Sequence, residues 1–293
     1  MTLLNSHERF DLFFDLRDEV LCRRQGRGMI PWLADLGARP LQEAKEDDSG
    51  FLFAGARSIE DYRELVSSYP NIRDRPEERG PLLRLDDVLD AIERAGINIP
   101  CPRSWYLDLD EDAPENLCFP LFVRTPISSW KLGGSISCVQ NLAELEAESF
   151  ELRHAFGWNE RIIAREWLDL EPAGEFMWGM LPQEVRVWIV DGTPYAWSFH
   201  HGHAVARPRG FPPSKDDLRT LCQRAAAIAT AFSSKLVCAD FARTITGEWY
   251  FLEAGPGSSS GTAHEGVFKS VAAKIMGRNA EIQQDETGGL FDL

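Results

Sequence analysis

The chain has 293 residues, of which 44% are hydrophobic and 11% aromatic, including nine Trp and seventeen Phe, so it can bury a large core as one molecule with lobes. A formal charge of -15 and a pI near 4.9 give it a field that repels phosphate backbones. This argues against nonspecific binding to nucleic acid or acidic membranes, and any phosphate ligand has to be held locally.

Residues 1–17 interleave charges with Phe10, Phe13 and Phe14, without the continuous apolar stretch of a signal peptide. No apolar run approaches the ~18 residues of a membrane span, and a cytoplasmic location is expected. The six cysteines are widely spread with no CxxC pair, so neither a disulfide framework nor a zinc site is expected.

From His7 to Leu36 the pattern reads as mostly helical, broken at Arg24 to Pro31 by two glycines and a proline. Phe51 to Ala54 reads as a short strand and Ile59 to Ser68 as a helix. Asn71 to Gly80, dense in Arg, Asp, Glu and Pro, reads as a solvated linker and the first organisational boundary. Beyond it, Leu85, Val88, Leu89 and Ile92 share one helical face and Gly96 stands ready to cap, which predicts a helix over Leu83 to Ala95.

An extended segment follows Pro100, and the apolar run Cys118 to Thr125 has the character of a buried strand. Leu142 to Phe156 reads as a helix ended by Gly157, and Arg161 to Leu168 as a strand. Glu184 to Val190 and Tyr195 to His200 flank Asp191-Gly192, the clearest hairpin signal in the chain. Ser214 and Asp217 form a capping-box pattern before the helical face Leu218, Leu221, Ala225, Ile228 and Phe232. Leu236 to Phe241 and Trp249 to Glu253 are strands joined through Thr246-Gly247. His264 to Met276 is a last helix, and the acidic tail from Arg278 ends loosely held.

Strand ends carry the chemistry. Asp240 closes Leu-Val-Cys-Ala-Asp-Phe and Glu253 closes Trp-Tyr-Phe-Leu-Glu, so a hairpin through Gly247 brings two carboxylates to one end of adjacent strands. Carboxylates at the end of apolar strands need a cation. Mg²⁺ fits, because it takes one or two carboxylates and completes its shell with phosphate oxygens and water. An Arg salt bridge or simple exposure is the alternative. Ser128, Ser129, Lys131 and Gly133-Gly134-Ser135 form a small-residue loop after a buried strand, where amides can close over phosphates or make an ordinary turn. Lys131 stands out because the chain has only six lysines among 31 basic residues.

In order along residues 82 to 277, Arg84, Arg124, Lys131 to Ser135, Glu166-Trp167-Leu168, Glu184 to Arg186 with Asp191-Gly192, Asp240-Phe241 and Glu253-Ala-Gly255 resemble the ATP-grasp superfamily. The resemblance implies an α+β fold of two subdomains clasping a nucleotide. It divides the chain into an atypical N-terminal α/β lobe at 1–80, an ATP-grasp domain at 81–280 and an acidic tail at 281–293.

It further implies that Arg84, Arg124 and Lys131 meet the phosphates of ATP, and that Glu166, Trp167 and Leu168 read the adenine edge. Glu184 would bind the ribose, Asp240 and Glu253 would hold Mg²⁺, and Lys131 would act at the phosphates, while Arg186 and Arg243, beside those carboxylates, would orient substrate or γ-phosphate or else form structural ion pairs. The implied reaction activates a carboxylate as an acyl-phosphate for attack by an amine, with a small molecule or peptide as substrate. A kinase and a nucleotide-binding regulatory protein are the alternatives.

Three features depart from the family pattern. Arg84 and Arg124 stand where Lys is usual, which replaces a point donor by a fork. Gly255 stands where an Asn ligand is usual, and the first 80 residues differ from the usual preceding domain. Gly255 to Gly261 fits a loop that holds a carboxylate, or else a flexible linker. His200, His201 and His203 do not read as a shared metal site, because alternation along a strand points His200 and His201 apart. Arg207 and Arg209 are placed for an anionic substrate or for an exposed loop.

Overall fold

A computed structural model describes residues 11–15, 29–45, 47–55, 58–109, 113–127, 138–176, 179–200, 212–262, 264–278 and 288–291, with side chains left aside at 29, 30, 175, 176, 179 and 180. The N-terminal lobe is built on strands β1 (Asp11–Phe14), β2 (Arg39–Pro40), β3 (Gly50–Phe53) and β4 (Ile72–Arg73), all parallel in the order β2-β1-β3-β4. Helix α1 (Met29–Asp35) lies between β1 and β2, and α2 (Ile59–Val66) between β3 and β4.

The helical expectation for residues 7–36 is therefore wrong over Asp11–Phe14. A short apolar run such as Leu-Phe-Phe fits helix and strand equally by periodicity, and β1 is buried at Leu12, Phe13 and Phe14. Parallel strands covered on both sides read as such continuous runs.

The expected linker at 71–80 is also corrected. It forms β4 and the short helix α3 (Pro76–Arg79), and both Asp74 and Arg79 are completely buried. Arg79 donates to the carbonyl of Ala54 in the lobe and to Ser258 beyond it, and lies 4.3 Å from the ring of Tyr62. Ser234 donates to Asp74. Charge density looked like solvation in sequence, but here it is a buried polar joint between the lobe and the rest of the molecule.

Helix α4 (Leu85–Arg94) follows, ended by Gly96 at φ +66. The second sheet comprises β5 (Ser104–Leu107), β6 (Leu121–Arg124), β7 (Cys138–Val139) and β8 (Ile162–Glu166), antiparallel in the order β5-β8-β6-β7. Helix α5 (Leu142–Phe156) packs on it, its first turn capped by Asn141, which accepts from the Glu144 amide at 3.0 Å. A small hairpin of β9 (Pro172–Phe176) and β10 (Gly179–Pro182), not anticipated, precedes the largest sheet.

That sheet contains β11 (Glu184–Val190), β12 (Thr193–Phe199), β13 (Leu236–Arg243), β14 (Trp249–Pro256) and β15 (Gly288–Leu290), in the order β14-β13-β11-β12-β15. Asp191 at φ 48 and Gly192 at φ 74 give β11 and β12 the two left-handed turn residues that a tight hairpin needs. The tail is not loose throughout: β15 pairs antiparallel with β12 from Ala196 to Ser198.

Alternation divides the two faces of this sheet. Val185, Val187, Ile189, Val237, Ala239, Phe241 and Phe251 pack with α6 (Lys215–Ala229) and α4. On the other face, Trp188, Val190, Ala196, Leu236 and Cys238 pack under α7 (Glu265–Ile275) and against Leu12, Phe14, Phe51 and Phe53 of the N-terminal lobe. Each of the Val, Leu, Ile and Phe side chains among these, fully buried, is worth about 1.5–3 kcal/mol before ordering costs. The capping box of Ser214 and Asp217 starts α6, and Trp249 donates to Asp217 at 2.8 Å, tying that helix to β14.

Candidate nucleotide and metal site

The second face of the large sheet is apolar only along half its length. Toward the start of β11 the inward positions become Arg186 and Glu184, two and four residues before Trp188, so the same alternation that buries Trp188 under α7 delivers charge next to it. In register, Arg186 stands opposite Asp240 on β13 and Ser198 on β12, and Asp240 stands opposite Glu253 on β14. The result is a row of polar side chains across four strands, Glu253–Asp240–Arg186–Ser198. Thr262 donates to Ser198 at 3.0 Å from above it.

Asp240 and Glu253, adjacent as the hairpin predicts, are each paired with arginine. Arg186 donates twice to Asp240, at 2.8 and 2.6 Å, in a fork that is 6% exposed over a carboxylate 2% exposed. Arg124 reaches across from β6 of the facing sheet and donates to Glu253 at 2.5 Å. The salt-bridge alternative raised by the sequence is thus what both carboxylates adopt here.

Burial is the largest influence on each group. It raises the pKa of Asp240, with Glu253 adding to the rise and Arg186 opposing it. At Glu253 burial is outweighed by Arg124, Arg186 and Arg165, which hold the carboxyl below the ordinary glutamate range. Burial likewise opposes charge on Arg186, but Asp240 outweighs it and keeps the guanidinium firmly protonated.

Glu184 lies on the same face as Arg186, and His200, whose amide donates to the Glu184 carbonyl at 3.0 Å, places its Nε2 3.9 Å from Oε1 of Glu184. Arg84 sits at the start of α4 and donates to Glu160 at 2.8 Å and to Asp86 at 3.2 Å. Burial opposes its charge, yet these two carboxylates raise its pKa further.

Glu166 ends β8, its amide donating to the carbonyl of Arg103 at 2.8 Å. The Trp167 amide donates to Pro120 at 3.2 Å, and among the described residues the Leu168 amide has no backbone partner. Arg243 is not brought to the row. Three residues beyond Asp240 it points to the opposite face, where it pairs with Glu171 at 2.5 Å. Lys131 and the loop 128–137, together with His201, His203, Arg207 and Arg209, lie outside the described residues.

The glycine- and serine-rich segment after Glu253 is pinned at several points. Gly257–Ser259 form one tight turn, and Ser258 is buried and accepts from Arg79. The Gly261 carbonyl accepts from Arg186. Gly257 has no room for a side chain, since a Cβ there would lie 2.5 Å from Leu236 Cγ. A flexible linker would show none of these contacts.

Sequence reasoning passed over Arg165 altogether. It is buried on β8, donating to the Leu252 carbonyl at 2.6 Å and so joining the two sheets beside the row. The signal was available: a guanidinium inside Ile-Ile-Ala-Arg has to find a partner.

Two sheets facing one another across a row of paired carboxylates and guanidiniums, with a parallel-sheet lobe behind, make this an ATP-grasp fold. Residues 109–275 match an ATP-grasp domain family, family 3 of its clade, and the chain belongs to that family. Among solved structures it is similar to D-alanine–D-alanine ligase from Bacillus anthracis in complex with ATP, with TM-score 0.59, 15% identity, and coverage of 92% of this chain and 97% of that one. It is also similar to carboxyaminoimidazole ribonucleotide synthase from Aspergillus clavatus in complex with ATP, with TM-score 0.60, 12% identity and coverage of 94% and 78%. A RimK domain ATP-grasp protein from Sphaerobacter thermophilus aligns with TM-score 0.54 at 13% identity over 91% and 98% of the two chains. No curated protein matches it in sequence. Among the described residues, no helix is long and apolar enough to cross a membrane.

Proposed function

We propose that the protein is an ATP-dependent ligase that activates a carboxylate as an acyl-phosphate and joins it to an amine, releasing ADP and phosphate. The observation that carries this reading is the row Glu253–Asp240–Arg186, met from the facing sheet by Arg124. Two fold relatives, a D-alanine–D-alanine ligase and a carboxyaminoimidazole ribonucleotide synthase, are complexes with ATP and support the choice of nucleotide.

Asp240 and Glu253 fit Mg²⁺ as donors, being hard carboxylates opposed on adjacent strands, each with lone pairs beyond those its arginine occupies. Bound there with ATP, the ion would neutralise charge on the transferring phosphoryl group. Arg124 and Arg84 would then exchange carboxylate partners for the nucleotide phosphates, joined there by Lys131. Arg124 gives Glu253 a single bond here, and its guanidinium fork suits two phosphate oxygens.

The Leu168 amide, without a backbone partner among the described residues, would donate to an adenine edge beside Trp167 and Glu166, and Glu184 would hold the ribose. Arg186, anchored on both Asp240 and the Gly261 carbonyl, would orient the substrate carboxylate against the 257–261 loop. Arg243, held by Glu171 on the other face, would support the strand end. The closing of two sheets over this row would exclude water, which protects an acyl-phosphate from hydrolysis.

The test is release of ADP with magnesium and ATP across a panel of small carboxylates, amino acids and short peptides, with and without an amine. Amine-dependent ADP release with formation of an amide is expected, and Glu253→Gln should abolish it. ADP release unchanged in that variant, or phosphate transfer to a hydroxyl with no amide formed, would reject the reading.

A further inference from the structure

Beside the Asp240–Glu253 pair, Glu184 on β11, His200 directly after β12 and Asp240 on β13 bring one ligand atom each to within 4.8 Å of one another. The register produces this. His200 stands opposite Glu184, joined through the backbone at 3.0 Å, while Asp240 stands opposite Arg186, two residues along β11 on the same face. The His200 and Glu184 side chains are 21% and 15% exposed, so the group is recessed in the cleft.

Their Nε2 and Oε1 atoms are 3.9 Å apart. That is too long for a hydrogen bond, and it lies within the roughly 4.2 Å that two ligands each about 2.1 Å from one ion can span. We propose that Glu184, His200 and Asp240 form a binding site for a divalent ion of the Mn²⁺ to Zn²⁺ series, distinct in ligand set from a magnesium site at Asp240 and Glu253.

The donor chemistry selects the ion. An imidazole nitrogen suits first-row transition ions and is foreign to Mg²⁺, which prefers an all-oxygen shell. Two carboxylates balance the charge of the ion. Asp240 already accepts two bonds from Arg186, but an ionised carboxylate offers about four lone-pair positions, so it can serve both. The adjacent guanidinium cancels part of that negative charge, so binding is expected to be reversible and readily stripped by chelator.

The experiment uses the full chain without nucleotide. Mn²⁺ is titrated while the signal of the free aqua ion is followed by electron paramagnetic resonance, and pulsed spectra are examined for a coupled imidazole nitrogen. One Mn²⁺ per chain with a nitrogen coupling is expected, resistant to displacement by excess Mg²⁺. His200→Asn and Glu184→Gln should each weaken binding by about tenfold or more. The His200 contact to β11 runs through its backbone amide, so the strand pairing survives substitution, and a thermal melt of each variant checks this.

Unchanged binding in both variants overturns the proposal, as does a nitrogen coupling that disappears only when His201 and His203 are replaced. The site shares Asp240 and Glu184 with the ligase reading but is tested separately, because no nucleotide is present. Mn²⁺ binding without any ADP release would overturn the ligase reading alone, and ADP release without Mn²⁺ binding would overturn this site alone.

Discussion

Replacing Asp240 by Asn should do more than remove a metal ligand. It leaves the Arg186 guanidinium, 6% exposed, without the carboxylate that accepts its bonds at 2.8 and 2.6 Å. Breaking a buried ion pair from one side costs about 3–5 kcal/mol, because the remaining charge stays desolvated. Asn keeps one acceptor oxygen and Arg186 keeps the Gly261 carbonyl, so the loss should fall at the lower end, about 3 kcal/mol.

Arg186→Met should cost less. Burial already raises the Asp240 pKa, so without the guanidinium this carboxyl can take a proton instead of remaining charged. The pair of variants and the double variant, measured by equilibrium urea unfolding, form a cycle with a coupling of about 1–3 kcal/mol between the positions. Single variants each costing under about 1 kcal/mol, with costs that simply add, would refute the claim that this ion pair is buried and mutually dependent.

Two further outcomes follow from the same contacts. Arg79→Met removes the donor to Ser258 and to the Ala54 carbonyl and takes away the guanidinium that opposes the effect of burial on Asp74, so a loss of about 2–5 kcal/mol is expected by thermal or urea unfolding. A loss under about 0.5 kcal/mol would mean that residues 71–80 are the solvated linker their composition suggests. Glu253 has a pKa lowered on folding, so the unfolded chain binds its proton more readily. Its stabilising contribution is full above about pH 4.5 and is lost as pH falls through the lower folded value. Stability against pH should therefore fall less steeply below that point in Glu253→Gln than in the parent, and identical acid limbs would contradict the pairing with Arg124.

Much of the architecture was legible because it is written in local chemistry. The Asp191-Gly192 turn, the Ser214 capping box, the helix from Leu142 to Gly157 and the opposition of Asp240 and Glu253 all stand as the spacing indicated. The order of motifs along residues 82 to 277 led to the family for the same reason, since each motif is short and keeps its place along the chain. The misreadings share a different cause. Leu12-Phe13-Phe14 carries no period that separates helix from strand, and Gly288–Leu290 is a strand only because β12 offers an open edge.

Charge was the hardest signal to read. Asp74, Arg79 and Arg165 look solvated one at a time, and are buried because partners 160, 179 and 87 residues away satisfy them. The sequence alone determined which side chains face which side of β11 and β13, since alternation needs nothing beyond neighbouring residues, whereas the bulge that turns Glu253 to the face opposite Phe251 is set by the pairing of β14 with β13. Only the tertiary structure decided that Glu253 meets Arg124, that Asp240 meets Arg186 and that Arg243 turns away, because the worth of a charge depends on what the fold brings within about 4 Å of it.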